Sequence, residues 1–243
     1  MKRVDVLSVC CAALALAVTA PGVQAQACKA ESGAQVPLVV ELYTSEGCNS
    51  CPPADRWLST LKDKPGVLAA AFHVDYWDRL GWKDRFASAR YTERQAQLQA
   101  ASGARFSYTP QVLVNGADWR RWPELPAAAN SSPVRMVLQR DGDRVDVDVR
   151  PIDGSNRRWA LWWVALEDGH ESDVKAGENN GVRLHHDHVV RLYGSVAPWS
   201  GPLAQRIEVP RRGEGGRPLR VLAVVTDAAS GATVQAVQLR CAG

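Results

Sequence analysis

The sequence predicts an α/β domain followed by a mostly antiparallel, sandwich-like β domain. Two apolar, β-rich runs flank a segment with helical periodicity, which is the strand–helix–strand pattern of a parallel sheet. From about residue 133, apolar and polar residues alternate between regularly spaced turn signals, which is typical of antiparallel sheets. Removing an expected export segment of 25 residues from the 243 leaves 218, more than one small domain usually contains. We therefore place the α/β domain at 26–130 and the β domain at 131–243.

The first 25 residues have the pattern of a cleaved signal peptide. Lys2 and Arg3 give a basic start, the run from Val6 to Ala20 is apolar, and small residues precede an expected cleavage after Ala25. The apolar run is shorter than the roughly 20 residues that a membrane-spanning helix needs, so a retained anchor is the less favoured alternative. We therefore expect a periplasmic or secreted protein with no membrane span in its mature chain.

Five elements are expected in the α/β domain. The first apolar run stops at a polar loop, as a buried strand does, and Trp57, Leu58 and Leu61 then mark one face of a helix. Later signals are the turn at Lys64-Pro65-Gly66 and the Asn115-Gly116 turn. The elements are a strand at 36–43, a helix beginning near 52, a strand at 67–76, a helix at 84–101 and a short strand at 111–114.

The β domain is expected to contain two hairpins and a central strand. One hairpin turns at Asp141-Gly142 and the other at Ser230-Gly231, and the run from Arg158 to Leu166 is apolar on both faces. The segment 167–202 is expected to be a long loop, and such loops are uncommon unless they are functional.

Cysteine arithmetic predicts two disulfides. The mature chain keeps Cys28, Cys48, Cys51 and Cys241, and an unpaired thiol is a liability in an oxidising compartment. Four cysteines permit three connectivities. Local geometry favours Cys48 with Cys51, and this leaves Cys28 and Cys241 to form a structural staple between the ends of the mature chain.

The spacing of Cys48 and Cys51 at the expected start of a helix indicates thiol–disulfide chemistry. Free amide groups and the helix dipole favour a thiolate at Cys48, which we predict to attack, while Cys51 is placed to resolve the mixed disulfide. Zinc ribbons use the same spacing, but they need four ligands and usually a second such pair. His185, His186 and His188 could complete a zinc site or bind copper. We favour thiol–disulfide exchange, because exchange chemistry accounts for a cysteine pair at the start of a helix and metal binding does not.

Composition excludes other classes of function. Hydrophobic residues are 46% and charged residues 23% of the chain, which indicates a folded protein. The net charge is only +3 and the arginines are scattered, so nucleic acid is not an expected partner. The sequence contains no Gly-x-Ser-x-Gly elbow and no phosphate loop, and we expect no metal and no other cofactor.

The cysteine pair, its flanking strand and helix, and Thr109-Pro110 before a further strand resemble the thioredoxin superfamily. The resemblance implies a thioredoxin-like α/β domain with a cis Pro110 against the cysteines and a Thr109 backbone that binds an extended peptide. It also implies that Glu41 accepts the proton of Cys51. A strand glutamate paired with lysine or arginine is the alternative for Glu41.

Three further residues are candidate substrate contacts. His73 and Asp75 lie two apart near the end of a strand, so they share a face at the edge where open α/β sheets place their sites. The alternative is a hydrogen-bonded pair that fixes the next loop. Trp77 is expected to line a peptide-binding groove together with Trp82, although aromatic residues are more often part of the core.

Longer motifs are Val-Glu-Leu-Tyr-Thr-Ser-Glu-Gly-Cys-Asn-Ser-Cys-Pro-Pro-Ala-Asp at 40–55, the segment 72–84, Tyr-Thr-Pro-Gln at 108–111, Gly-Glu-Asn at 177–179 and His-Asp-His-Val-Val at 186–190. These motifs resemble one secreted bacterial family, the domain of unknown function 1223. That resemblance implies a presumed redox role and no particular substrate.

The sequence therefore predicts an exported thiol–disulfide oxidoreductase that acts on a protein or peptide thiol or disulfide. Two alternatives stay open: a binding module on the thioredoxin fold with a structural disulfide, and a protein that binds zinc or copper through cysteine and histidine.

Overall fold

The computed structural model describes residues 28–127, 131–154 and 156–241, so the expected signal peptide lies outside the described residues. No helix in these ranges is long and apolar enough to cross a membrane. The α-helices of the described residues are α1 (Pro52–Ser59) and α2 (Ala89–Ser102). The strands, in chain order, are β1 (Cys28–Glu31), β2 (Leu38–Thr44), β3 (Val67–His73), β4 (Gln111–Val114), β5 (Ala117–Asp118), β6 (Val134–Asp141), β7 (Arg144–Pro151), β8 (Arg158–Glu167), β9 (His170–Asp173), β10 (Arg183–His186), β11 (Val189–Ser200), β12 (Leu203–Glu208), β13 (Arg220–Asp227) and β14 (Thr233–Leu239).

A mixed sheet of eight strands runs through the molecule in the order β14-β13-β8-β11-β3-β2-β4-β5. Strands β2 and β3 are parallel, as the strand–helix–strand pattern predicted, and α1 connects them. On its other side β3 meets β11, where Val189 is the register partner of Ala71. The sheet thus takes four strands from before residue 130 and four from after it. The division at residue 130 stays a prediction.

The predicted fold class is wrong, because the chain is mostly β and the described residues show no separate thioredoxin-like α/β domain. Hydrophobic periodicity identified most of the strands but carried no information on which strands would pair across the chain. The short parallel contact at Ala71 and Val189 extends the parallel strands directly into the antiparallel strands β11, β8, β13 and β14.

A second sheet, in the order β1-β6-β7-β12, covers one face of β8, β13 and β14. Its inward side chains, which include Met136, Leu138 and Val147, pack with Trp159 and Val221 of the large sheet. The disulfide Cys28–Cys241 joins β1 to the residue that lies just after β14. The staple predicted from cysteine arithmetic therefore connects the two sheets at the ends of the described chain.

The segment 167–202 is not the loop that the sequence predicted, because it contains β9, β10 and all of β11. Strands β9 and β10 pair antiparallel, with His186 opposite His170. Their inward side chains are mainly polar, so the alternation of buried and exposed residues was not visible as a hydrophobic pattern. This hairpin packs against α1.

The two faces of β2 explain where the cysteine pair lies. Leu38, Val40 and Leu42 pack against α1, whereas Val39 and Tyr43 contribute to the core on the opposite face. Because α1 begins just beyond the carboxyl end of β2, Cys48 and Cys51 lie at the edge of the sheet where the loops after β2 and β3 meet.

We predict that the double variant Cys28→Ser/Cys241→Ser lowers the free energy of unfolding by about 4 to 5 kcal/mol in the chain-entropy view, because this disulfide closes a very long loop. Denaturant unfolding of both proteins measures the difference. The variant should leave the reduction of Cys48–Cys51 unchanged. Equal stability of the two proteins would show that the disulfide is not a staple.

Candidate functional site

Cys48 and Cys51 form a disulfide at the start of α1. The carbonyl of Cys51 accepts hydrogen bonds from the amides of Ala54 and Asp55, at 2.9 and 3.1 Å, which begin the helix. Pro52 and Pro53 occupy its first positions, where the missing amide hydrogens cost no helical hydrogen bond. Both cysteines are 0% exposed. A reagent can therefore reach the disulfide only after something above it moves.

The loop between β9 and β10 binds the backbone on either side of Cys48, and we call its residues 174–182 the cover loop. The side-chain amide of Asn179 donates to the carbonyl oxygens of Glu46 and Cys48, at 2.8 and 3.0 Å. Glu178 accepts a hydrogen bond of 3.1 Å from the amide of Asn49. The cover loop is thus fixed to the backbone on both sides of Cys48.

Among the predicted site residues, Trp77 lies against the loop before Cys48 and contacts Thr109. The peptide bond between Thr109 and Pro110 is cis. Trp77 donates from Nε1 to Thr109 Oγ1 over 2.8 Å. A Cβ atom on Gly47 would lie 3.0 Å from Cβ of Trp77, so only glycine fits there without displacement. Trp77 therefore connects Thr109 to the loop between β2 and α1, residues 45–51, which we call the cysteine loop.

His73 and Asp84 form a buried ion pair below the cysteine loop. His73 Nδ1 lies 2.7 Å from Asp84 Oδ2, and both side chains are 0% exposed. The same carboxylate oxygen accepts a hydrogen bond of 2.9 Å from the backbone amide of Glu46. Burial alone would lower the pKa of His73, but the Asp84 carboxylate raises it above its ordinary value. Burial would raise the pKa of Asp84, and the His73 cation instead holds it below its ordinary value.

Glu46 connects this ion pair to the β9–β10 hairpin. Its Oε2 accepts a hydrogen bond of 2.7 Å from Nε1 of Trp82, and its Oε1 lies 3.4 Å from Nε2 of His186. Burial acts to raise the pKa of Glu46, but His186 and the other polar contacts keep it below its ordinary value. The His186 and His73 rings meet edge to face, with centroids 5.0 Å apart.

Asp55 is the carboxylate nearest in sequence to Cys51 on α1, one helical turn later. It is 6% exposed, and its Oδ2 accepts a hydrogen bond of 3.0 Å from Oγ1 of Thr44. Burial raises the pKa of Asp55, and the nearby His186 and His73 oppose that rise. We call Glu46, Asp55, His73, Asp84 and His186 the buried acid–histidine cluster.

The structure does not bring Glu41 to the disulfide. Glu41 lies on the face of β2 opposite α1, where it pairs with the buried guanidinium of Arg94 from α2. This is the arrangement of a strand glutamate paired with arginine. Asp75 also lies apart from the cluster, because its carboxylate accepts a 2.6 Å hydrogen bond from Thr92 of α2. His73 and Asp75 therefore have different partners.

The three neighbouring histidines of the predicted metal segment point to different surroundings. His185 lies 3.0 Å from Asp187, His186 faces Glu46, and burial lowers the pKa of His188 to about 4. Across the ranges that the structure describes, no group of three or more histidine, cysteine, aspartate or glutamate side chains is arranged to hold a metal ion.

The family model described as "Protein of unknown function (DUF1223)" matches residues 39–226. The chain belongs to this family. The matched range includes the cysteine pair, the buried acid–histidine cluster and the cover loop. No curated protein is significantly similar to the chain.

Two solved structures resemble this DUF1223 protein. A crystal structure of a protein from Agrobacterium tumefaciens, determined in a structural genomics programme, has 28% identity and a TM-score of 0.63, over 84% of this chain and 94% of that one. A protein named HBP35 from Porphyromonas gingivalis has 15% identity and a TM-score of 0.55, over 85% of this chain and 76% of its own. The second likeness concerns the fold alone.

Sequence reasoning missed Asp55, Glu46, Asp84 and the separate role of His186. One signal was present for Asp55, because it follows Cys51 by four residues in a helix and so lies on the same side. Glu46 and Asp84 lie in loops, where hydrophobic periodicity gives no indication of burial.

We predict that Asn179→Ala lowers the free energy of unfolding by about 1 to 3 kcal/mol, because two buried carbonyl oxygens lose their donor. It should also accelerate reduction of Cys48–Cys51 by dithiothreitol, followed by alkylation and mass spectrometry. The neighbouring Asn180 is exposed, so Asn180→Ala is the matched control. Equal reduction rates in the two variants would contradict a covering role for Asn179.

The His73–Asp84 pair gives a pH dependence of stability. The raised pKa of His73 contributes stability that is complete below about pH 6.5 and is lost as the pH rises through its value in the folded protein. The lowered pKa of Asp84 contributes stability that is complete above about pH 4 and is lost as the pH falls through its folded value. Both contributions are therefore complete between about pH 4 and 6.5.

We predict that Asp84→Asn destabilises the protein by about 3 to 5 kcal/mol at pH 5.5, since a buried cation loses its partner. The deficit should shrink as the pH rises and His73 becomes neutral. Urea unfolding at several pH values measures it, with the exposed Asp141→Asn as control. A deficit that is independent of pH would show that charge pairing is not its cause.

Proposed function

We propose that the protein is an exported thiol–disulfide oxidoreductase whose reacting centre is Cys48–Cys51. The observation that carries this proposal is the short-range disulfide at a helix start, with a buried carboxyl group one turn inside the same helix. A disulfide that only closes a three-residue separation contributes little chain-entropy stabilisation, so stability alone is a poor reason for it.

The reaction begins when the reduced pair meets a substrate disulfide. The Cys48 thiolate attacks one substrate sulfur, forms a mixed disulfide and releases the other sulfur as a thiolate. Cys51 then loses its proton and attacks Sγ of Cys48, so that the Cys48–Cys51 bond forms and the second substrate sulfur leaves. Two electrons pass from the dithiol to the substrate, and a thiol reductant restores the pair.

Asp55 is the proposed acceptor for the proton of Cys51, in place of Glu41. It lies on the same helix one turn later, it is buried, and it has a hydroxyl partner but no ion pair with lysine or arginine among the described residues. Burial raises the pKa of Asp55, which brings it closer to that of a thiol and makes proton transfer less unfavourable.

Substrate access requires the cover loop to open. Asn179 and Glu178 bind the backbone around Cys48, which is where an extended peptide would have to lie. Trp77, Thr109 and Pro110 form the adjoining wall and are the proposed contacts for that peptide. A protein or peptide substrate fits this arrangement, because the groups available to bind it are mainly backbone N–H and C=O groups of the protein.

A binding module with a structural disulfide is the second candidate function. The observation that favours it is the complete burial of both cysteines, since reactive cysteines are usually partly exposed. In that case the cover loop would be a permanent part of the core.

The deciding experiment is a glutathione redox titration of the mature protein, read by alkylation and mass spectrometry. We expect Cys48–Cys51 to be reduced at a mild potential, and Cys51→Ser to trap a mixed disulfide on Cys48 that Cys48→Ser cannot form. Cys28–Cys241 serves as the internal control and should stay oxidised.

The opposite outcome selects the binding module. Structural disulfides typically have potentials below about −300 mV, so a Cys48–Cys51 bond that stays oxidised throughout the titration would end the oxidoreductase proposal.

A further inference from the structure

Glu178 of the cover loop places a carboxylate close to the proposed nucleophile. Its Oε2 accepts a hydrogen bond of 3.1 Å from the backbone amide of Asn49. That amide nitrogen is bonded to the carbonyl carbon of Cys48, so covalent geometry keeps the carboxylate within roughly 8 Å of the Cys48 sulfur. The separation does not exceed the Debye length of about 8 Å at physiological salt, so charge on one group acts on the other.

The cover loop has a paired base and a projecting tip, and we call residues 177–180 the tip. At the base, two backbone hydrogen bonds of 2.9 and 3.0 Å join Val174 to Gly181 and Val182. The tip, which includes Glu178, is held to the cysteine loop by three further hydrogen bonds. Breaking these three bonds separates the tip from the cysteine loop and leaves the base paired.

The other charged groups around the cysteine loop lie on elements outside the tip. They are Glu46 of the cysteine loop, Asp55 of α1, His73 at the end of β3, Asp78, Lys83 and Asp84 in the segment that follows, His186 of β10, and Lys175 in the cover loop before the tip. Glu178 differs from them because it is exposed and moves with the tip. Separation of the tip therefore takes one negative charge away from Cys48 and leaves these other groups in place.

Opening also changes the hydrogen-bond donors that a Cys48 thiolate can use. Ser50 Oγ lies 3.4 Å from Cys48 Sγ, so this hydroxyl stays beside the sulfur in both positions of the tip. The Asn49 amide is occupied by Glu178 in the closed position and is released when the tip leaves. Loss of a negative neighbour and gain of a free donor both favour the thiolate over the thiol.

We propose that Glu178 makes the cover loop a redox-sensitive latch, closed over the neutral Cys48–Cys51 disulfide and displaced by the negative charge of the Cys48 thiolate. This inference rests on the proposed function and assigns the regulation of its site. The reduced protein then offers an open site to a substrate disulfide. After exchange the negative charge has left with the substrate thiolate, so the tip closes over the disulfide of the protein.

Linkage fixes the size of the effect from either side. If closure of the tip raises the pKa of Cys48, ionisation of Cys48 must favour opening by the same factor. Glu178 is exposed, so solvent screens its charge. We expect the pKa of Cys48 to differ by about half a unit between the closed and open positions, which is about a threefold change in the opening equilibrium.

The experiment measures amide hydrogen exchange of Asn49 by NMR, in variants that need no reductant. Cys51→Ser has a titratable Cys48, whereas Cys48→Ser/Cys51→Ser has neither a thiolate nor a disulfide at this position. Mass spectrometry confirms that Cys48 is free, and thiolate absorbance gives its titration midpoint. Exchange requires the bond to Glu178 to open, so we expect the ratio of the two exchange rates to rise about threefold as the pH passes that midpoint.

Glu178→Gln separates charge from packing, because it keeps an acceptor oxygen for Asn49 and removes the negative charge. In Cys51→Ser/Glu178→Gln the exchange ratio should stay constant with pH, and the Cys48 midpoint should fall by about half a pH unit. Glu171→Gln is the matched control, since Glu171 is exposed on β9 of the same hairpin, and it should follow Cys51→Ser. In 1 M salt the rise should disappear, because the Debye length falls to about 3 Å.

An exchange ratio that is independent of pH in Cys51→Ser would overturn the proposal, as would an equal rise in Cys51→Ser/Glu178→Gln. These measurements do not require reduction of the Cys48–Cys51 bond, so they give an answer even when that bond resists the glutathione titration. A reducible bond with a constant exchange ratio would refute the latch and leave the oxidoreductase proposal standing. The two failures are therefore distinguishable.

Discussion

The ion pair between His73 and Asp84 is the interaction on which the candidate site depends. One oxygen of Asp84 binds both the His73 ring at the end of β3 and the Glu46 amide in the cysteine loop, and the other oxygen accepts from the amide of Phe86. The two parallel strands end side by side, and this carboxylate joins the loops that follow them at a point where both partners are buried. Desolvating the two charges is costly, and the additional amide hydrogen bonds offset part of that cost.

The local features of the site followed from the sequence. The parallel pair β2 and β3, the helix that begins after Cys51, and the pairing of Cys48 with Cys51 are all short-range consequences of periodicity and spacing. Glu41 is a residue for which local sequence reasoning predicted the secondary structure but not the side-chain contact. Its position in a strand was correct, but alternation along β2 directs it away from α1 and toward Arg94.

The long-range features were not predictable in this way. Nothing in the sequence around Val189 or Ala71 indicates that β11 pairs with β3. This contact joins the parallel strands to the antiparallel ones, and it is the reason that the predicted fold class is wrong. The β9–β10 hairpin was hidden for a related reason. Three of its four inward positions hold the polar residues His170, Ser172 and His186, so their burial leaves no apolar pattern in the sequence.

Burial of the disulfide and reactivity are compatible if the cover loop opens a small fraction of the time. Asn179 and Glu178 supply three hydrogen bonds to the cysteine loop, and each contributes about 1 kcal/mol net. Opening that costs about 3 kcal/mol leaves roughly one molecule in 150 open, which slows reaction with any reagent by that factor. A substrate that replaces these bonds with its own backbone recovers the cost, whereas a small thiol cannot. The cover loop would therefore select extended peptides over small thiols.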